Sequence, residues 1–306
     1  IIRFRNKKIK TLQVSNGLSI FATNCSCMSS RRTNKLVVPF VKWVGGKRQI
    51  LSEIEKYLPS KFATYYEPFI GGGALLFHLQ PSVACINDIN PELIRVYTVI
   101  KNDVEALIAE LEKYENTSEY FYAVRDWDRD KEYYAKLSEV QKAARVLYLT
   151  CFNGLYRVNN AGEFNSPFGN YRNPNIVNAP VLRAVSAYFN TADISMTTVD
   201  YEDVLKTLPK GAFVYLDPPY DPVSETSSFT GYSKCGFTRA DQIRLRKCCD
   251  ELSVRGIKFM LSNSATGFIM EQYAAYNITV VQAKRAVNAI ASKRGDVDEV
   301  VVRNYE

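Results

Sequence analysis

The chain has 306 residues but a single histidine, His78. It also has no apolar run long enough to cross a bilayer. The scarcity of histidine argues against zinc, which needs about four clustered ligands. The seven cysteines (Cys25, Cys27, Cys85, Cys151, Cys235, Cys248 and Cys249) are odd in number and form no framework. They read as free thiols of a reducing cytoplasm. Only Cys25 and Cys27 are spaced like a ligand pair, and they lack partners. No metal and no membrane partner are therefore expected. Arg3, Arg5, Lys7, Lys8 and Lys10 are not followed by a long apolar stretch, so no secretion signal is read there.

Two phosphate fingerprints are also missing. The dinucleotide pattern G-x-G-x-x-G fails because Leu76 occupies the place of its third glycine. The phosphate loop of nucleotide triphosphatases fails because position 41 is Val41 and Arg48 follows Lys47. What is present is ordinary for a soluble globular chain, at 46% hydrophobic and 23% charged residues. A formal charge of +7 suits a polyanionic partner without requiring one.

Residues 1–36 are basic and rich in Ser, Asn and Thr, with little periodicity. The sequence opens on Ile1, and Met28 is a plausible start, so residues 1–27 read as a fragment artefact or loose tail. The alternative is a short ordered extension. From Tyr65 the signals alternate. Tyr65 to Ile70 predicts a strand, Ala74 to Leu79 a helix and Val83 to Asn87 a strand. A helix then begins at Asn90-Pro91. This order predicts a parallel α/β sheet with ligands at strand C-termini.

Between about residues 101 and 190 the alternation breaks into a helical, aromatic segment. Ser138 and Gln141 form a capping box for a helix through Leu149. A loop follows to Pro174. An insertion of this kind suits substrate recognition. Strands return at Ile194 to Val199, Ala212 to Leu216, Ile257 to Leu261, Ile278 to Val281 and Val297 to Val302, with a Thr238-capped helix through Leu252. The expected domains are a tail (1–36), a catalytic domain (37–100 with 190–306) and an inserted recognition domain (101–189).

Phe69-Ile70-Gly71-Gly72-Gly73 falls at a strand-to-helix junction, where glycine allows a sharp turn and close ligand approach. Asp88 follows the next strand and can bind ribose hydroxyls. With no pyrophosphate fingerprint, a single nucleoside bearing an amino-acid tail, S-adenosylmethionine, fits better than a dinucleotide. Trp43 and Lys47, near Gly45-Gly46, can cover it and hold its carboxylate. A plain turn is the bland alternative.

Asp217-Pro218-Pro219-Tyr220 follows the apolar run Ala212 to Leu216. A conjugated exocyclic amine is a poor nucleophile, and acceptors for its protons free its lone pair. Asp217 offers a carboxylate and Pro218 a carbonyl, while Tyr220 offers a face to stack on the base. The prolines stiffen the turn. Such a base must leave the duplex. A strand-ending turn is again the bland alternative.

Taken together, these residues resemble the Dam-type DNA adenine-N6 methyltransferases, the α-class or D12 group. The likeness covers roughly residues 39–305. It is carried by KWVGGKRQ, YYEPFIGGGAL, INDINPELI, FNGLYRVNNAGEFNSPFGNY, DPPY, SETSSFTGYS and LSNS. The motif order, cofactor then recognition then catalysis, is that of the α-class, and the DpnM-type GATC modification methylases look nearest.

The resemblance implies a Rossmann-like S-adenosylmethionine-dependent sheet with an inserted helical DNA-recognition domain. It implies cofactor contacts from Trp43, Lys47, Phe69, Gly71, Gly73, Asp88 and Asp217. Catalysis would fall to Asp217, Pro218, Pro219 and Tyr220. DNA contacts would come from Lys42, Phe152, Asn153, Leu155, Arg157, Pro167 and Tyr171, with Arg157 apt for guanine and Leu155 for a thymine methyl. It further implies double-stranded DNA as partner, a bacterial or phage-encoded cytoplasmic protein, and a cognate restriction endonuclease acting separately. Phe152 departs from a common intercalating Tyr, and Asn170 from a frequent Arg.

Lys284, Arg285, Lys293 and Arg294 are candidate phosphate contacts or a solvated hairpin. Residues 221–237, with Phe229 and Tyr232, are expected to form a loop over the flipped base. Cys248, Cys249 and His78 read as structural. The competing functions are an N4-cytosine methyltransferase, against which D-P-P-Y rather than S-P-P-[YW] argues, and a catalytically silent DNA-binding module. A nicotinamide oxidoreductase is more distant.

Overall fold

The computed structural model describes residues 33–152, 156–223, 236–284 and 296–306. Its centre is a seven-stranded sheet. The strands are β1 (Thr64–Glu67), β2 (Val83–Asn87), β3 (Asp193–Thr197), β4 (Ala212–Leu216), β5 (Lys258–Ser264), β6 (Asn277–Lys284) and β7 (Asp296–Arg303). Their order is β3-β2-β1-β4-β5-β7-β6. Strands β1 to β5 run parallel, and β7 is antiparallel to both β5 and β6. This is the α/β sheet expected of an S-adenosylmethionine-dependent methyltransferase fold.

From β1 the chain winds outward through β2 to β3, then returns to β4 on the other side of β1. The winding sense therefore reverses between β1 and β4. The C-terminal ends of β1 and β4 flank this switch point, the usual ligand position in such sheets. All five residues of β4 are buried. This burial on both faces is why Ala212 to Leu216 reads as an unbroken apolar run.

Around the sheet lie α1 (Leu51–Glu55), α2 (Ala74–Leu79), α3 (Pro91–Asn102), α4 (Val104–Leu111), α5 (Ser118–Arg125), α6 (Lys131–Lys136), α7 (Glu139–Cys151), α8 (Ala179–Thr191), α9 (Tyr201–Lys206), α10 (Arg239–Val254) and α11 (Gly267–Gln272). Local chemistry sets their starts. Asn90 accepts from Glu92 N and Leu93 N, with Pro91 in the first turn of α3. Ser138 with Gln141 and Thr238 with Asp241 form the capping boxes of α7 and α10.

Strand ends depart from the sequence reading for identifiable reasons. β1 ends at Glu67 rather than Ile70 because Pro68 has no N–H, and Ile70 N turns to Asn87 O at 2.9 Å. β3 ends at Thr197 because Val199 N leaves the ladder for Asn87 Oδ1 at 3.0 Å. β5 runs on to Ser264 because β7 pairs with it as far as Ser264 opposite Glu299.

The apolar interior forms two clusters. One joins β1 and β2 through α3 to α4, α5, α7 and α8; the other lies between β4, β5, β7 and helices α9 to α11. Helices α4, α5, α7 and α8 therefore share a core with α3. Tyr188 of α8 ties them to the connection before β2 by donating to Pro81 O at 2.9 Å. Cys248 and Cys249 pack in the second cluster, as expected. The tail 1–27, the loop residues Phe229 and Tyr232, and the basic residues Arg285, Lys293 and Arg294 lie outside the described residues.

Candidate active site and nucleic-acid interface

The turn after β1 supplies the first wall of the candidate site. Gly71 and Gly73 have φ of 47° and 68°, in the left-handed region. Side chains are strained there, and space is short as well. A Cβ at Gly71 would stand 3.2 Å from Trp43 Cδ1, and one at Gly73 would meet the Tyr97 hydroxyl at 2.7 Å and Phe77 at 2.9 Å. The turn is fixed from both sides. Gly71 N donates to Asp88 Oδ2 at 3.1 Å, and Tyr97 Oη donates to Gly71 O at 3.0 Å. Burial pushes the Asp88 carboxyl up to about 6, opposed by the N–H bonds from Asn90 and Gly71. Phe69 packs on Tyr201 and Phe237.

The second wall is the end of β4. Lys47 Nζ lies 2.8 Å from Asp217 Oδ1, with the two side chains 7% and 17% exposed. Burial raises the Asp217 carboxyl to about 6, and the Lys47 charge opposes the rise. The same ammonium sits 4.6 Å from the centre of the Tyr220 ring. Tyr220 Oη donates to Glu299 Oε2 at 2.7 Å. Among the described residues no donor reaches the Pro218 carbonyl, whereas Pro219 O accepts from Gln242 Nε2 at 2.8 Å. Trp43 thus lies against the Gly71 turn that Asp88 braces, and Lys47, four residues on, lies against the Asp217–Tyr220 turn. Glu67, at the end of β1, is buried and accepts from Tyr65 Oη at 2.7 Å; burial holds its carboxyl well above the usual range.

A hairpin adjoins the glycine turn. Val158 and Phe164 bridge antiparallel, and Asn165 N donates to Arg157 O at 2.8 Å. Arg157, Pro167 and Tyr171 are exposed. Trp43 stacks on Tyr156 at 5.0 Å and so links the glycine turn to the hairpin. Lys42 donates to Cys151 O and lies 4.9 Å from the Tyr171 ring. Asn153 and Leu155 lie outside the described residues. Phe152 departs from the expectation of a DNA-facing ring. It is 0% exposed and packed among Phe121, Tyr148 and Phe168, so its faces are occupied by other rings.

Several residues that shape the site escaped the sequence reading. Arg145, 1% exposed, donates to Val124 O and Arg125 O and pairs with Asp128 at 2.8 Å. Asp128 Oδ2 in turn accepts from Phe164 N at 2.7 Å, anchoring the hairpin. One signal was available: Arg145 interrupts the apolar stretch of α7 between Ala144 and Val146. Glu299, Gln242 and Tyr156 gave no such local signal. No group of three or more possible metal ligands occurs among the described residues, and no described helix is long and apolar enough to cross a membrane.

Comparison with known proteins gives a consistent picture. Residues 43–287 match the family model described as D12 class N6 adenine-specific DNA methyltransferase. The chain is 45% identical to the type II methyltransferase M1.LlaDCHI of Lactococcus lactis subsp. cremoris, over 91% of this chain and 99% of that one. It is 42% identical to the type II methyltransferase M.MjaIII of Methanocaldococcus jannaschii, over 88% and 99% of the two chains. Identity to the DNA adenine methylase of Escherichia coli (strain K12) is 31%, over 86% of this chain and 93% of that protein.

Proposed function

The chain belongs to the D12 class of N6 adenine-specific DNA methyltransferases, and from that premise we propose how its crevice works and what it reads. The enzyme methylates adenine in DNA; the proposal adds S-adenosylmethionine as donor, GATC as target and extrusion of the target base. The observation that carries it is the pairing of two walls at the sheet's switch point. A glycine turn braced by Asp88 faces a carboxylate held by Lys47, beside a carbonyl that no described residue engages.

The crevice suits the cofactor chemically. Glycines at positions 71 and 73 keep the floor open, and Asp88 offers a carboxylate to ribose hydroxyls. Trp43 covers the turn, Phe69 supports it, and Lys47 with Asp217 offers a pair of opposite charges for an amino-acid tail. When bound, the cofactor supplies a methyl group already activated on a sulfonium.

The chain's own residues do the rest. Asp217 Oδ and Pro218 O accept hydrogen bonds from the two N–H groups of the adenine amine, which frees the nitrogen lone pair. Tyr220 stacks on the base, its ring held by Glu299 and by the ammonium of Lys47. Rigid positioning and electrostatics then carry the transfer, with no need for a histidine. Pro219 contributes stiffness to the turn.

Residues 37–100 with 190–306 form the catalytic part and 101–189 the target-recognition part in this reading. Arg157 pairs with guanine O6 and N7. Lys42, Pro167 and Tyr171 contact DNA beside it, and Asn153 and Leu155 read further bases. Phe152, being buried, sets the end of α7 from which those residues depart. The names of the two type II relatives support a cognate restriction endonuclease that acts separately; in this reading the protein is cytoplasmic and bacterial or phage-encoded.

The test is methyl transfer from labelled S-adenosylmethionine to two duplexes that differ only in a scrambled GATC. Label on the GATC adenine alone is expected. Label on both duplexes would discard GATC, and label on neither would discard the reading of the crevice.

A further inference from the structure

The loop that carries the catalytic motif is closed by two buried amide side chains to which nothing above assigns a role. Asp221 N donates to Asn263 Oδ1 at 3.1 Å. Asn263 Nδ2 donates to Gln242 Oε1 at 3.1 Å. Gln242 Nε2 donates to Pro219 O at 2.8 Å. The bonds run head to tail from the residue after Tyr220 to the residue before it. Gln242 and Asn263 are 1% and 0% exposed. They come from different elements, α10 and β5, so the ring exists only once these two pack. Asn263 belongs to the Leu261-Ser262-Asn263-Ser264 stretch singled out in the sequence.

We propose that Gln242 and Asn263 form an amide clamp that fixes the peptide planes flanking Tyr220, and that they act as positioning residues for methyl transfer. The proposal rests on the catalytic reading of Asp217 to Tyr220 given above. The clamp consumes the Pro219 carbonyl and the Asp221 N–H. The Pro218 carbonyl then stays as the acceptor facing the crevice, beside Asp217. Amides suit this place because each supplies one donor and one acceptor without charge. A carboxylate at either position would lose the donor and leave two oxygens in contact.

The charged groups around the clamp are Asp221, paired with Arg239 at 2.9 Å, Asp217 with Lys47 at 2.8 Å, and Glu299 under Tyr220 at 2.7 Å. Ser264 Oγ and Thr266 Oγ1 bond to Asp221 O and Oδ2.

This polarity gives a test that a packing role would not pass. In Asn263→Asp and in Gln242→Glu, a neutral carboxyl retains one O–H donor and one acceptor, so the ring can close; the ionised form cannot close it. The kcat of each purified variant on a target duplex is measured against pH, with KM for DNA and cofactor affinity alongside. Both variants should show an added ionisation, absent from the parent, with kcat falling roughly tenfold to a hundredfold as pH rises through it. KM and cofactor affinity should change little.

Profiles that coincide with the parent's would overturn the clamp, as would a loss confined to KM. Unfolding of both variants across the pH range would assign the amides to the fold and overturn it too. An active Asp217→Asn enzyme would instead overturn the catalytic reading beneath the proposal.

Discussion

The strand-end loop 217–221 and the hairpin that carries Arg157 are anchored in different ways. The loop extends a strand buried on both faces, and its own backbone is held by amide side chains and by the ion pairs of Asp217 and Asp221. The hairpin rests on an aromatic core and is pinned by one carboxylate, Asp128, which a buried arginine holds in place. Residues proposed to orient a reacting amine need sub-ångström placement, which short polar bonds to a rigid sheet provide. Residues that read DNA have to present side chains to a partner; Arg157, Pro167 and Tyr171, proposed for that role, are exposed while the rings and the Arg145–Asp128 pair beneath the hairpin are buried.

That contrast predicts different failures. Asp217→Asn keeps the size of the side chain but removes the carboxylate, so kcat should fall on the order of a thousandfold or more on every DNA sequence. Single-turnover methyl transfer on specific and scrambled duplexes measures this. A change that altered sequence choice instead would erase the division between the two regions.

Arg145→Met should do the opposite. It leaves Asp128 without its buried partner, and stability should fall by about 3–5 kcal/mol. Target preference should blur with it, because Phe164 loses its fixed anchor. Denaturant unfolding and competition between duplexes report the two effects separately.

pH sharpens the comparison further. Asp217 and Asp88 both titrate near 6 in the folded protein, against 3.8 unperturbed. A carboxyl whose folded value is raised binds its proton more tightly when folded. Its contribution to stability is therefore largest in acid and is lost as pH climbs from the unfolded towards the folded value. The proposed mechanism uses the ionised Asp217, so kcat should drop about tenfold per unit below roughly pH 6. Activity and the stability contributed by these two groups should thus move in opposite directions between the two values. Parallel pH series of kcat and Tm would show it.

The smallest effect belongs to Arg157→Ala. It should relax preference at one base by about 1–3 kcal/mol while kcat on the best site stays nearly constant. A uniform loss across all sequences would make Arg157 a phosphate contact.

Local signals carried much of the fold. The apolar run Ala212 to Leu216, the capping residues Ser138 and Thr238, and the glycine turn after Tyr65 each placed an element near its observed position. Strand ends were less legible because backbone partners come from elsewhere in the chain: Asn87 draws Ile70 and Val199 out of their ladders, and β7 prolongs β5. Phe152 shows the same limit at the site. Its motif suggested a ring facing DNA, but the surrounding aromatics enclose it.

By itself the sequence determined the class of sheet, the family and the short motifs at two strand ends, because these depend on residues close together in the chain. Tertiary structure alone decided that Lys47 faces Asp217, that Glu299 holds Tyr220, that Arg145 and Asp128 pin the hairpin, and that Gln242 and Asn263 close the loop. Each of those bonds joins residues of separate elements. Their worth comes from burial, which weakens competition from water and which no local pattern encodes.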